Sequence, residues 1–271
     1  MPNLSIQGVD VFYRDEGEGP LVVLGHSSTG SGGQWRDLIR QLSARYRLLA
    51  PDHIGYGRTG AQPANSNLLA LEINVIETLM MMSDDPVHLI GHSYGGSLVA
   101  RAALRHPSRV RSLSLIEPTL FHLLDSEGHA DALAEIRSVA DRVVEFVDNN
   151  DPDEAARGFI TYWVGPGAFD RMDERVRTAV VAGMAKLRAE WLVAFDGVGV
   201  ESNAFRQLDV PIQLIRATQT TLAARDVVDV LRNLWPSARF FEVAGAGHMA
   251  PLTHPTEING LLADFLHQVR V

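Results

Sequence analysis

Apolar and polar positions follow two different periods along this chain. Short apolar runs at 21–24, 47–50, 87–90 and 110–116 are each bounded by turn residues. Between them, residues 34–44, 68–82 and 97–105 carry apolar side chains at helical spacing. Residues 4–6 and 9–13, parted by Gln7-Gly8, predict a short antiparallel pair. The apolar runs lack alternation, which predicts strands buried on both faces and hence a mostly parallel central sheet. Strand–helix–strand alternation implies right-handed crossovers, so the fold class is α/β, with helices flanking the sheet.

The period changes near Pro118. From about residue 119 to 205 the pattern is helical throughout, with helices predicted at 131–149 and 173–195, a first-turn proline at Pro152 leading into 159–164, and a break at Gly165-Pro166-Gly167. Strand signals return at 212–217 and 239–243, with helices at 226–234 and 255–269. A helical block set into an alternating domain reads as a cap over a site. The expected division is a core of residues 1–118 and 207–271 with an inserted helical cap, 119–206.

Composition narrows the function classes. A length of 271 residues suits one α/β domain with an insertion, and 46% hydrophobic residues suffice for a large core. A formal net charge of −9 argues against a nucleic-acid surface, which needs basic patches. There are no cysteines, so disulfides and thiolate metal sites are excluded. No basic-then-apolar leader opens the chain and no apolar run matches a bilayer span. The expectation is a cytoplasmic protein. His88 and His92 are four apart, but on a strand and a turn, and read as core or loop histidines.

The chemistry concentrates in LIGHSYGGSLVA, residues 89–100. Gly91 and Gly95 flank Ser93 between a strand and a helix. So tight a turn strains its central residue and leaves no room for neighbouring side chains, which the glycines provide. It would lift the Ser93 hydroxyl above the sheet edge at a helix N-terminus, where developing negative charge is favoured. A serine nucleophile needs a base. His248, in EVAGAGHMAPLTHP after the last predicted strand, lies in a loop whose small residues permit close approach. His254 precedes Pro255 and reads as a turn residue.

GHSYGG (91–96), APDHIGYGRTG (50–60), the helical insertion and GAGHMAPLTHP (245–255) together resemble the α/β-hydrolase family over nearly the whole chain. The resemblance implies an order of nucleophile, acid, histidine. With a serine rather than an aspartate at the turn, the resemblance implies acyl chemistry on an ester, lactone or thioester of a small molecule, without metal or organic cofactor. The resemblance also implies an oxyanion hole from the backbone N–H of Tyr94 and of a residue after the first core strand. Here LGHSSTGSGG replaces the family's usual His-Gly loop, and Ser28 takes the donor position. The loop where the family usually carries its acid reads Thr218, Gln219, Thr220, Thr221, with no carboxylate. Losing a triad acid costs about 10⁴ in kcat. Glu117, ending the strand after the serine's own, is the candidate acid. Asp226 is the alternative, and no acid at all a third reading.

A substrate between cap and sheet edge would meet Trp35, Phe121, Trp163, Trp191 and Met249, a largely apolar set without an arginine clamp. Two other classes stay open. A carbon–carbon bond hydrolase of ring-cleavage products would share the serine turn and the cap. A non-catalytic ligand-binding homologue would explain the vacant acid position.

Overall fold

The computed structural model describes residues 3–269, so residues 1–2 and 270–271 at the ends of the expected core lie outside it. The first half of the chain runs β1 (Asn3–Ile6), β2 (Val9–Glu16), β3 (Leu21–Gly25), α1 (Arg36–Leu42), β4 (Arg47–Pro51), α2 (Leu68–Met80), β5 (Val87–His92), α3 (Tyr94–Arg105) and β6 (Val110–Ile116). Five helices follow: α4 (His122–Ser126), α5 (Ala130–Asp148), α6 (Pro152–Val164), α7 (Glu174–Phe195) and α8 (Ser202–Gln207). The chain ends with β7 (Ile212–Ala217), α9 (Leu222–Leu234), β8 (Arg239–Val243), α10 (Ala250–Thr253) and α11 (Pro255–Gln268).

The strands form one sheet in the order β1-β2-β4-β3-β5-β6-β7-β8. β1–β2 and β2–β4 pair antiparallel and every later pair is parallel. The central strands are buried on both faces, as their unbroken apolar runs predict. Side chains still alternate between two cores. Val23, Leu89, Leu113 and Leu214 join α2, α3 and α9 on one face, whereas Val22, Leu24, Ile90, Ile116 and Ile215 join α1 and α11 on the other.

Side-chain caps set the starts of α6 and α9, and the second differs from the sequence reading. Pro152 lies in the first turn of α6, as its position before the helical run 159–164 predicts, and Asp151 caps that turn by accepting from Glu154 N. Thr221 accepts from Ala224 N and starts α9 at Leu222, which leaves Asp226 in its second turn. The predicted helix 34–44 splits into a 3-10 turn, Gly32–Trp35, and α1. Helices α4, α8 and α10 are too short to show periodicity and were not expected.

The five helices inserted after β6 stand at the expected cap position. Of these, α5, α6 and α7 pack on one another, while α7 also meets α2 and α3 and α5 meets α9. Among the described residues no helix is long and apolar enough to cross a membrane.

Two histidines link this packing to pH. Burial pushes His88, with Nδ1 2.7 Å from Ser112 Oγ, down to about 4, and Arg111 adds to the effect. Burial takes His122 to about 4 as well. An unfolded histidine titrates near 6.5, so below that pH the unfolded chain binds protons that the folded chain refuses. Their contribution is present above pH 6.5 and is lost as pH falls to about 4. The thermal midpoint should fall across this window, and His88→Asn should fall less steeply. Identical slopes would remove His88 from the account.

Candidate active site

The turn between β5 and α3 places Ser93 at φ 54°, ψ −121°, a left-handed region that non-glycine residues seldom occupy. Space forces the glycines around it. A Cβ on Gly95 would sit 2.3 Å from the Gly25 carbonyl carbon, and one on Gly91 2.6 Å from Gly96 Cα. The turn is pinned by Ser93 N donating to Ile116 O at 3.0 Å and by Gly95 N donating to His26 O at 3.0 Å. Strain is thus held by bonds to both neighbouring strand ends.

Ser93 Oγ lies 2.9 Å from His248 Nε2, and His248 Nδ1 lies 2.7 Å from Glu117 Oε2. A carboxylate can only accept, so Nδ1 carries the proton and Nε2 is left to accept from the serine. Glu117 is 1% exposed and also has a positive φ, 43°. Its Oε1 accepts from Ala217 N at 2.7 Å and its Oε2 from Thr220 Oγ1 at 2.6 Å. The stretch that lacks a carboxylate, Thr218 to Thr221, therefore holds the carboxylate of the adjacent strand. Asp226 is elsewhere, 2.9 Å from His129 Nδ1 and 3.0 Å from Arg225 Nε. His254 Nδ1 lies 2.9 Å from the Thr253 hydroxyl.

His92 Nε2 donates to the His248 carbonyl at 2.9 Å and anchors the histidine loop. Burial holds the pKa of His92 well below the ordinary value, and the adjacent His248 pushes the same way. From the cap, the Trp163 indole stacks on the His248 ring with centroids 4.0 Å apart.

The loop after β3 is fixed mainly by side chains. Ser27 N and Oγ both donate to Gln34 Oε1, at 3.1 and 3.0 Å. His26 Nδ1 donates to Ser27 O at 2.7 Å, and its Nε2 accepts from His53 N at 2.9 Å. Burial drives the His26 pKa well down, which keeps the neutral ring this pattern requires. Among the described residues, the backbone N–H groups of Ser28 and Tyr94 meet no acceptor.

A cavity of about 270 Å³ opens above Ser93, lined by Ser28, Tyr94, Thr119, Phe121, Phe159, Trp163, Leu187, Glu190, Trp191 and Ala194. Phe121, Trp163 and Trp191 are among the lining residues. Trp35 and Met249 do not line it. Trp35 is 1% exposed in the α1-side core, drawn there by the glycine turn before α1, and Met249 is half-buried at the start of α10. Phe159 was missed although it stands one helical turn before Trp163. Glu190 was missed because an acidic residue on a long helix reads as solvated. Its i,i+4 partner Lys186 is the available signal, and the pair is buried at 2.9 Å.

A family profile described as alpha/beta hydrolase fold matches residues 20–164. The chain belongs to the α/β-hydrolase family, a family of hydrolases acting on small molecules. It is similar to a putative carbamate hydrolase of Azorhizobium caulinodans, 24% identical over 277 residues and covering 99% of each chain. It is also similar to a 2-hydroxymuconate semialdehyde hydrolase of a Pseudomonas species, 24% identical over 270 residues, 96% of this chain and 91% of that one. In fold it is similar to an enol-lactonase from Burkholderia xenovorans, with a TM-score of 0.78 at 19% identity, covering 98% and 100% of the two chains.

The glycine contacts give a stability test. Gly95→Ala should cost about 2–3 kcal/mol and lower Tm by roughly 5–10 °C, since backbone must move to admit the methyl group. Gly158→Ala, exposed on α6 with nothing near its Cβ, should instead gain about 0.5–1 kcal/mol. Equal effects in thermal melts would refute the close approach as the reason for Gly95.

Proposed function

We propose that the protein is a serine hydrolase that cleaves an ester, lactone or thioester of a small, largely apolar substrate through an acyl-enzyme. The observation that carries this reading is the continuous line Glu117–His248–Ser93, with 2.7 and 2.9 Å between successive partners, ending on a strained serine at the floor of a cavity. The cap is taken as residues 119–206.

In this reading His248 Nε2 takes the Ser93 proton as Oγ attacks the carbonyl carbon. The carbonyl oxygen becomes an oxyanion and accepts from the N–H groups of Tyr94 and Ser28. Glu117 holds the Nδ1 tautomer and stabilises the imidazolium without taking its proton. The tetrahedral species collapses, and the leaving oxygen or sulfur departs with the proton from Nε2. A water then loses a proton to Nε2, attacks the acyl carbon, and returns Ser93 as the acid product leaves.

The aromatic walls Phe121, Phe159, Trp163 and Trp191 support an apolar substrate. The close approach of these rings above Ser93 favours a short acyl or aryl group. Carbon–carbon bond hydrolysis is the second reading, favoured by the 24% identity to the semialdehyde hydrolase. Glu190, which lines the cavity, is paired with Lys186, and no cationic side chain is among the lining residues to receive an anionic substrate, which weighs against this reading where that substrate is an acid.

Hydrolysis of a chain-length series of p-nitrophenyl esters tests the proposal. Wild type should turn over the shorter esters and Ser93→Ala should lose that turnover. Glu117→Gln should lose about 10³–10⁴ in kcat while Asp226→Asn stays within a few-fold. No Ser93-dependent turnover on any ester would sink the acyl reading, and the reverse pattern of the two acids would move the acid to Asp226.

A further inference from the structure

We propose that Glu190 is a positioning residue for the oxyanion hole, holding Ser28 by its hydroxyl from the cap side. The inference rests on the serine-hydrolase reading above. It names a role for a buried carboxylate that the proposed mechanism does not use.

The oxyanion loop is fastened unevenly. Its core side is held at Ser27 N and Oγ by Gln34, at Ser27 O by His26 Nδ1 and Gly30 N, and at the His26 carbonyl by Gly95 N and His53 Nε2. Ser28, whose N–H is the proposed donor, has no backbone hydrogen bond among the described residues. The next residue, Thr29, has φ 59°, a conformation that a β-branched residue resists. The Ser27–Ser28 peptide is oriented from the core side by the bonds at Ser27 O, and a hold from the cap side would fix the Ser28–Thr29 corner of the turn as well. The contact present is the Ser28 hydroxyl donating to Glu190 Oε2 at 2.5 Å.

Glu190 can supply that hold because it is itself fixed. Its side chain is 3% exposed, and Lys186, one turn earlier on α7, places Nζ 2.9 Å from its Oε1. The same Nζ reaches Glu72 Oε1 on α2 at 2.8 Å and lies 3.8 Å from the Tyr56 ring centroid. Glu72 in turn stands 3.5 Å from His53 Nδ1 and accepts from Ile54 N. The ammonium thus ties cap helix to core helix, and the carboxylate passes that fixed geometry to the loop. Apolar packing of α7 would dock the cap as well without burying charge. What an apolar side chain could not do is accept from Ser28.

The experiment follows the rate of Ser93 phosphonylation by a fluorophosphonate, together with kcat and KM on p-nitrophenyl acetate. It compares wild type, Glu190→Ala, Ser28→Ala and the double variant, with folding checked by Tm. Glu190→Ala should slow labelling and kcat by about 10–50-fold with KM within about 3-fold, a partial loss of one oxyanion donor's worth. In the Ser28→Ala background the same change should cost less than about 3-fold, because both act through one contact. Glu190→Gln, which keeps an acceptor for Ser28, should recover most of the rate, and it carries the test if Glu190→Ala does not fold. Equal losses in both backgrounds, or a loss confined to KM, would overturn the positioning role. Wild-type Ser93 that does not label at all would overturn the serine-hydrolase reading and this inference with it. Labelling that is intact but additive overturns this inference alone.

Discussion

A carboxylate cannot sit dry inside a protein without partners, and Glu117 sits at 1% exposure beneath the cap. Removing such a charge from water costs several kcal/mol even after relaxation. Three donors offset this: Ala217 N, Thr220 Oγ1 and His248 Nδ1. Each charge-assisted bond is worth about 1.5–3 kcal/mol, so the three together are of the same order as the cost. The partners come from the end of β7, the loop after it and the loop after β8. One buried charge therefore gathers the ends of three consecutive strands, and the position of His248 over Ser93 depends on it. The positive φ of Glu117 aims the side chain across that gap.

The cap is joined to this centre by contacts of a different kind. Trp163 lies flat on His248, Glu190 reaches Ser28, and Arg101 in α3 donates to the Val193 carbonyl at the end of α7. Stacked and tilted rings of Phe121, Phe159, Trp163, Trp191 and Phe195 fill the space between. These rings give shape at low rotamer cost, which suits a cavity wall. The cap is therefore both roof and participant: its aromatic side excludes water while two of its side chains touch the proposed machinery.

Much of this was legible in the chain itself. The parallel sheet followed from apolar runs without alternation, and the serine turn from glycines that contacts as short as 2.3 Å make obligatory. Glu117 could be singled out because the neighbouring loop had threonines where an acid was expected. That Thr220 would serve the displaced acid was not legible, since a hydroxyl's partner depends on how two strand ends meet. Trp35 and Met249 were drawn into the pocket by closeness in sequence to the motifs. The backbone instead turns them to the other core and to the margin. Glu190 shows the converse. Only the fold reveals that Lys186 neutralises it and that its helix face looks inward.

The indole stacked on His248 gives the molecule a property of its own. An imidazolium withdraws electron density from an excited indole and quenches its emission, whereas a neutral imidazole does so weakly. With ring centroids 4.0 Å apart, Trp163 is placed to report the protonation of His248 as a change in fluorescence. The contact that seals the roof also makes the enzyme's proton bookkeeping visible as light.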